Sequence, residues 1–183
     1  MSKKPTSLNI TIFGDKGIGK TEFINNYLDL KIKKDQRKDK KDCKSFIKAI
    51  SETNNVKLNI YEYSETEKRT KDLQDNQCII IMFDMTSRSS FEDVLDKWIK
   101  FLRESKYSNP IILLGTTLKK DALPMTDEEE IKELIEVTET KGKFYDIGVL
   151  NNQGKADLID KLIKYAYEES KNNKGKKDDC NIF

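Results

Sequence analysis

Gly14, Gly19, Lys20 and Thr21 stand at the spacing G-x-x-x-x-G-K-T, and that pattern's chemistry is phosphate binding. Glycines let successive backbone N–H groups turn toward an anion, a lysine reaches terminal phosphates, and a threonine hydroxyl ligates Mg²⁺. The context agrees with the spacing. LNITIF (8–13) runs apolar into the loop and EFINNYLDL follows with apolar periodicity, so a strand feeds the loop and a helix leaves it. The helix N-terminus adds the positive end of its dipole. The candidate contact set is Gly14, Asp15, Lys16, Gly17, Ile18, Gly19, Lys20 and Thr21, with Gly17, Gly19 and Lys20 on phosphate and Thr21 on the metal. A glycine-rich turn that matches by chance is the competing reading, and the flanking strand and helix weigh against it.

Composition closes most other routes. The chain has 183 residues and no histidine, which excludes Ser-His-Asp and Cys-His nucleophiles, an HExxH helix and a Cys₂His₂ finger. Lys+Arg 34 against Asp+Glu 32 leaves a net charge of +2, so no nucleic-acid partner is expected. Cys43, Cys78 and Cys180 form no CxxC pair and suit a reducing compartment. The apolar runs CIIIMF and IILL are too short to span a bilayer, and the basic MSKKPTSLNI start, with no apolar stretch behind it, predicts no secretory signal.

The elements that must position the loop read as strands alternating with helices. Beyond the first strand, KSFIKAIS and VKLNIYEY alternate around ETNN as a hairpin, CIIIMFD and IILLG read as buried strands, and FYDIGV as a last one. Phe91, Val94, Leu95, Trp98, Ile99 and Leu102 mark one helical face. Thr126 with Glu129 predicts a capping box before an acidic helix carrying Ile131, Leu134 and Ile135. Ile159, Leu162, Ile163, Ala166 and Tyr167 mark the final helix. KIKKDQRKDKKDCK (31–44) predicts a solvated basic loop, and 171–183 a flexible polar tail after a domain at 1–170. The expected fold is an α/β three-layer sandwich, a six-stranded and mostly parallel sheet with helices on both faces. Ligands then bind outside the carboxyl ends of the strands, where the glycine loop sits.

With the loop at 14–21, the hairpin at 44–63 and FDMTSRSSFEDVLDKWIKFLRE (83–104), the chain resembles a Ras-superfamily small GTPase, most closely the Rab branch. The resemblance implies GTP or GDP with Mg²⁺ as ligands, and effector proteins with exchange or activating factors as partners. Its switch segments depart from the family pattern. No threonine stands between Thr21 and Thr53, and ungapped counting puts Asp39 at the metal-binding switch position. Asp-x-x-Gly is replaced by Glu62-Tyr63-Ser64-Glu65, so Glu62 would support a metal-bound water while Glu65 opposes the γ-phosphate. Thr66 stands where the family positions its attacking water with glutamine, and Lys16 would crowd an arginine finger, so hydrolysis is expected to be slow or absent. Two registers stay open at the base. An ungapped one faces Lys119 to guanine's donors, whereas a two-residue insertion restores Lys119 and Asp121 to the family order; a solvated stretch of charges competes with both. The backbone near Val149 replaces the last base contact.

Cys180-Asn181-Ile182-Phe183 has the form of a CaaX box, with phenylalanine favouring geranylgeranyl transfer. Lipidation at Cys180 implies a prenyl-binding chaperone as partner, attachment to the cytoplasmic face of a membrane, and a soluble pool, because one prenyl chain anchors only marginally. The leading reading is thus a prenylated Rab-like GTP-binding protein of vesicle traffic or related signalling. A pseudo-GTPase adaptor without nucleotide switching is the alternative, and a P-loop ATPase or small kinase a distant third.

Overall fold

The computed structural model describes residues 6–40, 43–51, 54–65, 73–117, 122–138, 144–148 and 150–178. Its elements run β1 (Thr6–Phe13), α1 (Lys20–Lys31), β2 (Arg37–Lys40), β3 (Cys43–Ser51), β4 (Asn54–Tyr63), β5 (Cys78–Asp84), α2 (Arg88–Asp93), a π-helical turn (Val94–Ile99), α3 (Lys100–Glu104), β6 (Ile111–Thr116), α4 (Glu128–Val137), β7 (Phe144–Asp146) and α5 (Asn152–Asp178). The sheet order is β2-β3-β4-β1-β5-β6-β7. β2/β3 and β3/β4 pair antiparallel and the other neighbours parallel.

The alternation read in the sequence sorts the core between two faces, because successive strand residues point to opposite sides. Leu8, Ile10 and Ile12 join Leu58, Ile80 and Leu114 on the face covered by α1 and α5. Phe13, Ile79, Ile81 and Phe83 face Phe91, Val94, Trp98 and Leu102, with Ile131 and Leu134 of α4 completing that layer. β5 is buried throughout, as its unbroken apolar run requires.

Three expectations are corrected. Among the described residues the sheet has seven strands rather than six, since Arg37–Lys40 of the expected solvated loop pairs with β3 from Arg37↔Phe46 to Lys40↔Cys43. Such a strand has no apolar face to reveal it; main-chain pairing holds it, and exposed Lys38 suits an outer edge that must not recruit another strand. The capping box forms one residue later than expected. Asp127 Oδ1 accepts from the Glu129 and Glu130 backbone N–H groups while Glu130 accepts from the Asp127 N–H, and Thr126 is buried instead. The apolar stripe at 91–102 is one continuous helical path, yet its middle is the π turn. Helix α5 runs from Asn152 to Asp178. Among the described residues no helix is long and apolar enough to cross a membrane.

Candidate functional site

β1 delivers the chain to Gly14 at φ +150°, where an added Cβ would lie 2.2 Å from the Met82 carbonyl oxygen. Only a residue without a side chain brings the loop this close to β5. Gly17 and Gly19 have φ +87° and +85°, and the left-handed turn at Gly19 launches α1, whose Phe23 N–H donates to the Gly19 carbonyl at 2.9 Å. The helix therefore starts at Lys20 with no side-chain cap, so the N–H groups of its first turn face the loop.

Lys20 is buried and its ammonium sits inside the loop. It donates to the Gly14 carbonyl at 2.8 Å, the Asp15 carbonyl at 2.7 Å and Ser64 Oγ at 2.9 Å. Burial pushes it down to about 8, partly opposed by the charges of Glu62 and Asp15. The next residue faces outward: the exposed Thr21 donates its hydroxyl to Glu62 Oε2 at 2.7 Å. Thus the ends of β4 and α1 meet over the loop. A hydroxyl and a carboxylate side by side form a hard oxygen set of the kind Mg²⁺ takes together with phosphate oxygens. The donors present fit nucleotide phosphates with Mg²⁺, and Lys20, Thr21 and Glu62 are the side chains that would hold them.

A second contact set braces the loop from the side. Asp15 accepts from Lys97 Nζ at 2.9 Å and from Ser90 Oγ at 3.3 Å. Ser90 Oγ also accepts the Asp84 N–H at 3.0 Å, while Asp84 Oδ1 accepts from the Thr86 N–H and hydroxyl at 2.9 and 2.7 Å. The D-x-T-x-x-x-S-F segment therefore shapes the turn after β5 and connects it to the loop. The motif spacing does not point to Ser64, Ser90 or Lys97, which the fold brings to the loop. Ser90 belongs to that segment; Lys97, 82 residues from Asp15, carries no local signal.

Beyond Gly19 a cavity of about 180 Å³ opens between α1 and the ends of β6 and β7, lined by Gly19, Phe23, Asn26, Thr116, Thr117 and Ile147 among others. The Ile147 N–H donates to the Gly115 carbonyl at 2.8 Å, so the chain after β7 folds over the end of β6. Lys119, Asp121 and Val149 lie outside the described residues, as do Thr66 and Cys180. Lys16 and Gly17 are exposed at the crest of the loop, and Ile18 is buried beneath it. The backbone of Asp39 is in edge strand β2 opposite Lys44, two strands and about 10 Å from the strand of Glu62.

A sheet of this order, entered through a glycine loop that wraps a lysine and places a threonine beside a carboxylate, defines a P-loop nucleotide-binding fold. Comparison with known families matches the Ras family over residues 9–168. The chain belongs to the Ras family, within the superfamily of small GTPases. Similar proteins come from several branches. They include the Rho-related protein racC of Entamoeba histolytica (28% identical, covering 64% of this chain and 62% of racC) and the Ypt/Rab-type GTPase ypt7 of Schizosaccharomyces pombe (29%, 73% and 65%). The GTP-binding nuclear protein GSP1 of Encephalitozoon cuniculi is 26% identical, with 80% of this chain and 68% of that protein covered. The chain spans a little under two thirds of the length of the first two.

Proposed function

We propose that this chain is a guanine-nucleotide-binding protein that holds GTP or GDP with Mg²⁺, hydrolyses it slowly or not at all, and recruits effector proteins. The observation that carries the reading is the meeting of Thr21 and Glu62 at 2.7 Å beside a loop whose carbonyls already seat Lys20. Lys20 would neutralise the terminal phosphates and the loop's N–H groups would orient them. Bound Mg²⁺ supplies charge neutralisation between phosphate oxygens. The cavity beside Gly19 has room for a base next to that phosphate site, and Lys119 with Asp121 are the side chains proposed to read it. Glu65, Thr66 and Lys16 occupy the positions on which the family's water positioning and arginine-finger access depend, which supports slow turnover.

The Ypt/Rab-type relative supports a Rab-like role in vesicle traffic, and the C-terminal Cys180-Asn181-Ile182-Phe183 supports prenylation, a prenyl-binding chaperone and membrane attachment. A second reading, a pseudo-GTPase adaptor, is favoured by one contact: Ser64 Oγ already fills one hydrogen bond of Lys20. The test is to denature purified protein, identify any released nucleotide by chromatography, and titrate labelled GTP, GDP and ATP with Mg²⁺. Stoichiometric guanine nucleotide, lost in Lys20→Ala, is the expected result. A site that ignores all three nucleotides would leave the adaptor reading standing.

A further inference from the structure

Asp15 brings a negative charge into a loop that must attract phosphate. The fold turns that carboxylate toward the helix over 88–104. Lys97 Nζ lies 2.9 Å from Oδ1, and Ser90 Oγ donates to Oδ2 at 3.3 Å. The same ammonium is 3.8 Å from Asp93 Oδ2 and sits over the Trp98 ring, 4.4 Å from its centroid. Trp98 is buried against Phe13, with ring centroids 5.4 Å apart, so the cation rests on a rigid seat. Burial and the charge of Asp15 push the Asp93 carboxyl above its ordinary range, which marks the acids as near enough to repel. The backbone of Asp15 meanwhile accepts from Lys20 at 2.7 Å. One residue thus joins Lys97 to the lysine of the phosphate site.

We propose that Lys97 is a positioning residue for nucleotide binding, holding the Asp15 carboxylate against the helix and away from the phosphates. The proposal rests on the nucleotide-binding reading above. Without Lys97, the Asp15 carboxylate would keep the Ser90 hydroxyl but lose its bound cation beside an anionic ligand, and the cost would grow with the ligand's charge. A tie that merely braced the fold would instead weaken every guanosine ligand alike. The two cases therefore separate by ligand series rather than by affinity alone. Lys97 is 35% exposed at its side chain, so its replacement leaves the core intact.

The experiment measures GTP, GDP and GMP affinity with Mg²⁺ at low and high salt, using the full chain. The proteins are wild type, Lys97→Met, Lys97→Arg and the double variant Asp15→Asn/Lys97→Met, each checked for an unchanged fold by circular dichroism. Lys97→Met should lose about tenfold for GTP, the effect of one partly screened charge nearby, and progressively less for GDP and GMP. High salt should shrink the loss. Lys97→Arg should keep wild-type affinity, and the double variant should recover most of what Lys97→Met loses. An equal loss for all three ligands, no loss, or a double variant no better than Lys97→Met would overturn the role given to Lys97. Wild type that binds none of the three would overturn the nucleotide-binding reading itself, and this proposal with it, before any variant is compared.

Discussion

Gly14→Ala and Gly17→Ala test whether the loop is shaped by close approach or by backbone freedom alone. Both glycines have positive φ, +150° and +87°, so an alanine is strained at either place by about 1–2 kcal/mol. Their surroundings differ. A Cβ on Gly14 would meet the Met82 carbonyl oxygen at 2.2 Å and Ile18 Cδ1 at 2.4 Å, whereas at Gly17 it meets nothing within 4 Å. Met82 belongs to β5, held in register between β1 and β6, so its carbonyl cannot retreat without disturbing the ladder. Overpacking of this kind adds about 1–3 kcal/mol. Gly14→Ala should therefore cost about 2–5 kcal/mol in total and Gly17→Ala about 1–2 kcal/mol. Urea unfolding followed by the fluorescence of Trp98, the single tryptophan, gives a clean readout because that ring is buried and stacked on Phe13. At a slope of about 2 kcal/mol per molar, the midpoint should fall by roughly 1–2.5 M for Gly14→Ala and by under about 1 M for Gly17→Ala, with slopes unchanged. Equal losses, or a larger loss at Gly17, would refute the argument from the Met82 contact.

Three further outcomes follow from the same geometry. Glu62→Ala removes the carboxylate beside the Thr21 hydroxyl, so the gain in GTP affinity on adding Mg²⁺ should largely vanish; titrations with Mg²⁺ and with EDTA measure it, and an undiminished gain would free Glu62 of any metal role. The Arg88 guanidinium and the Asp127 backbone N–H hold the Glu130 carboxyl below the usual carboxylate range. That contribution is present above the unfolded carboxylate's range and lost as pH falls through the folded one. The thermal midpoint of Glu130→Gln should accordingly drop less than that of wild type on acidification, by a modest margin because the pair is exposed. Cys180→Ser should move the protein from membrane to soluble fractions in cells, and unchanged membrane recovery would sink the lipid anchor.

What the sequence revealed was local. The glycine spacing, the strand before it and the periodic helix after it lie within a few residues of one another, and each states its own geometry through backbone preference. The buried runs at 78–84 and 111–114 disclosed two central strands because burial on both faces leaves no room for polar residues. Edge strand β2 gave no such signal: Arg37-Lys38-Asp39-Lys40 has no apolar alternation, and what fixes it is pairing with a strand later in the chain and the Arg37–Asp29 ion pair at 3.2 Å. The capping box slipped by one residue because Thr126-x-x-Glu129 and Asp127-x-x-Glu130 both satisfy the pattern. Burial of Thr126 decided between them, and burial is a tertiary fact. The contacts of Lys20 with Ser64 and of Asp15 with Lys97 span 44 and 82 residues. Nothing in a single chain's letters announces such pairs.

The same division separates binding from turnover. Ground-state phosphate binding draws on backbone N–H groups, a helix N-terminus, Lys20 and Thr21, all supplied by the stretch 14–21. Hydrolysis needs a water held in line with the γ-phosphate, and in this family that task falls to side chains carried on segments far from the loop. On the proposed reading the first set is supplied by the loop and the second is replaced in the sequence by Glu65 and Thr66, while the backbone of Asp39 runs in edge strand β2. On the proposed reading, a change at Thr66 alone cannot restore a fast rate, because Glu65 still opposes the γ-phosphate. Restoring glycine at 65 together with glutamine at 66 is the smallest change that addresses both obstacles, and it leaves the residues that bind phosphate untouched.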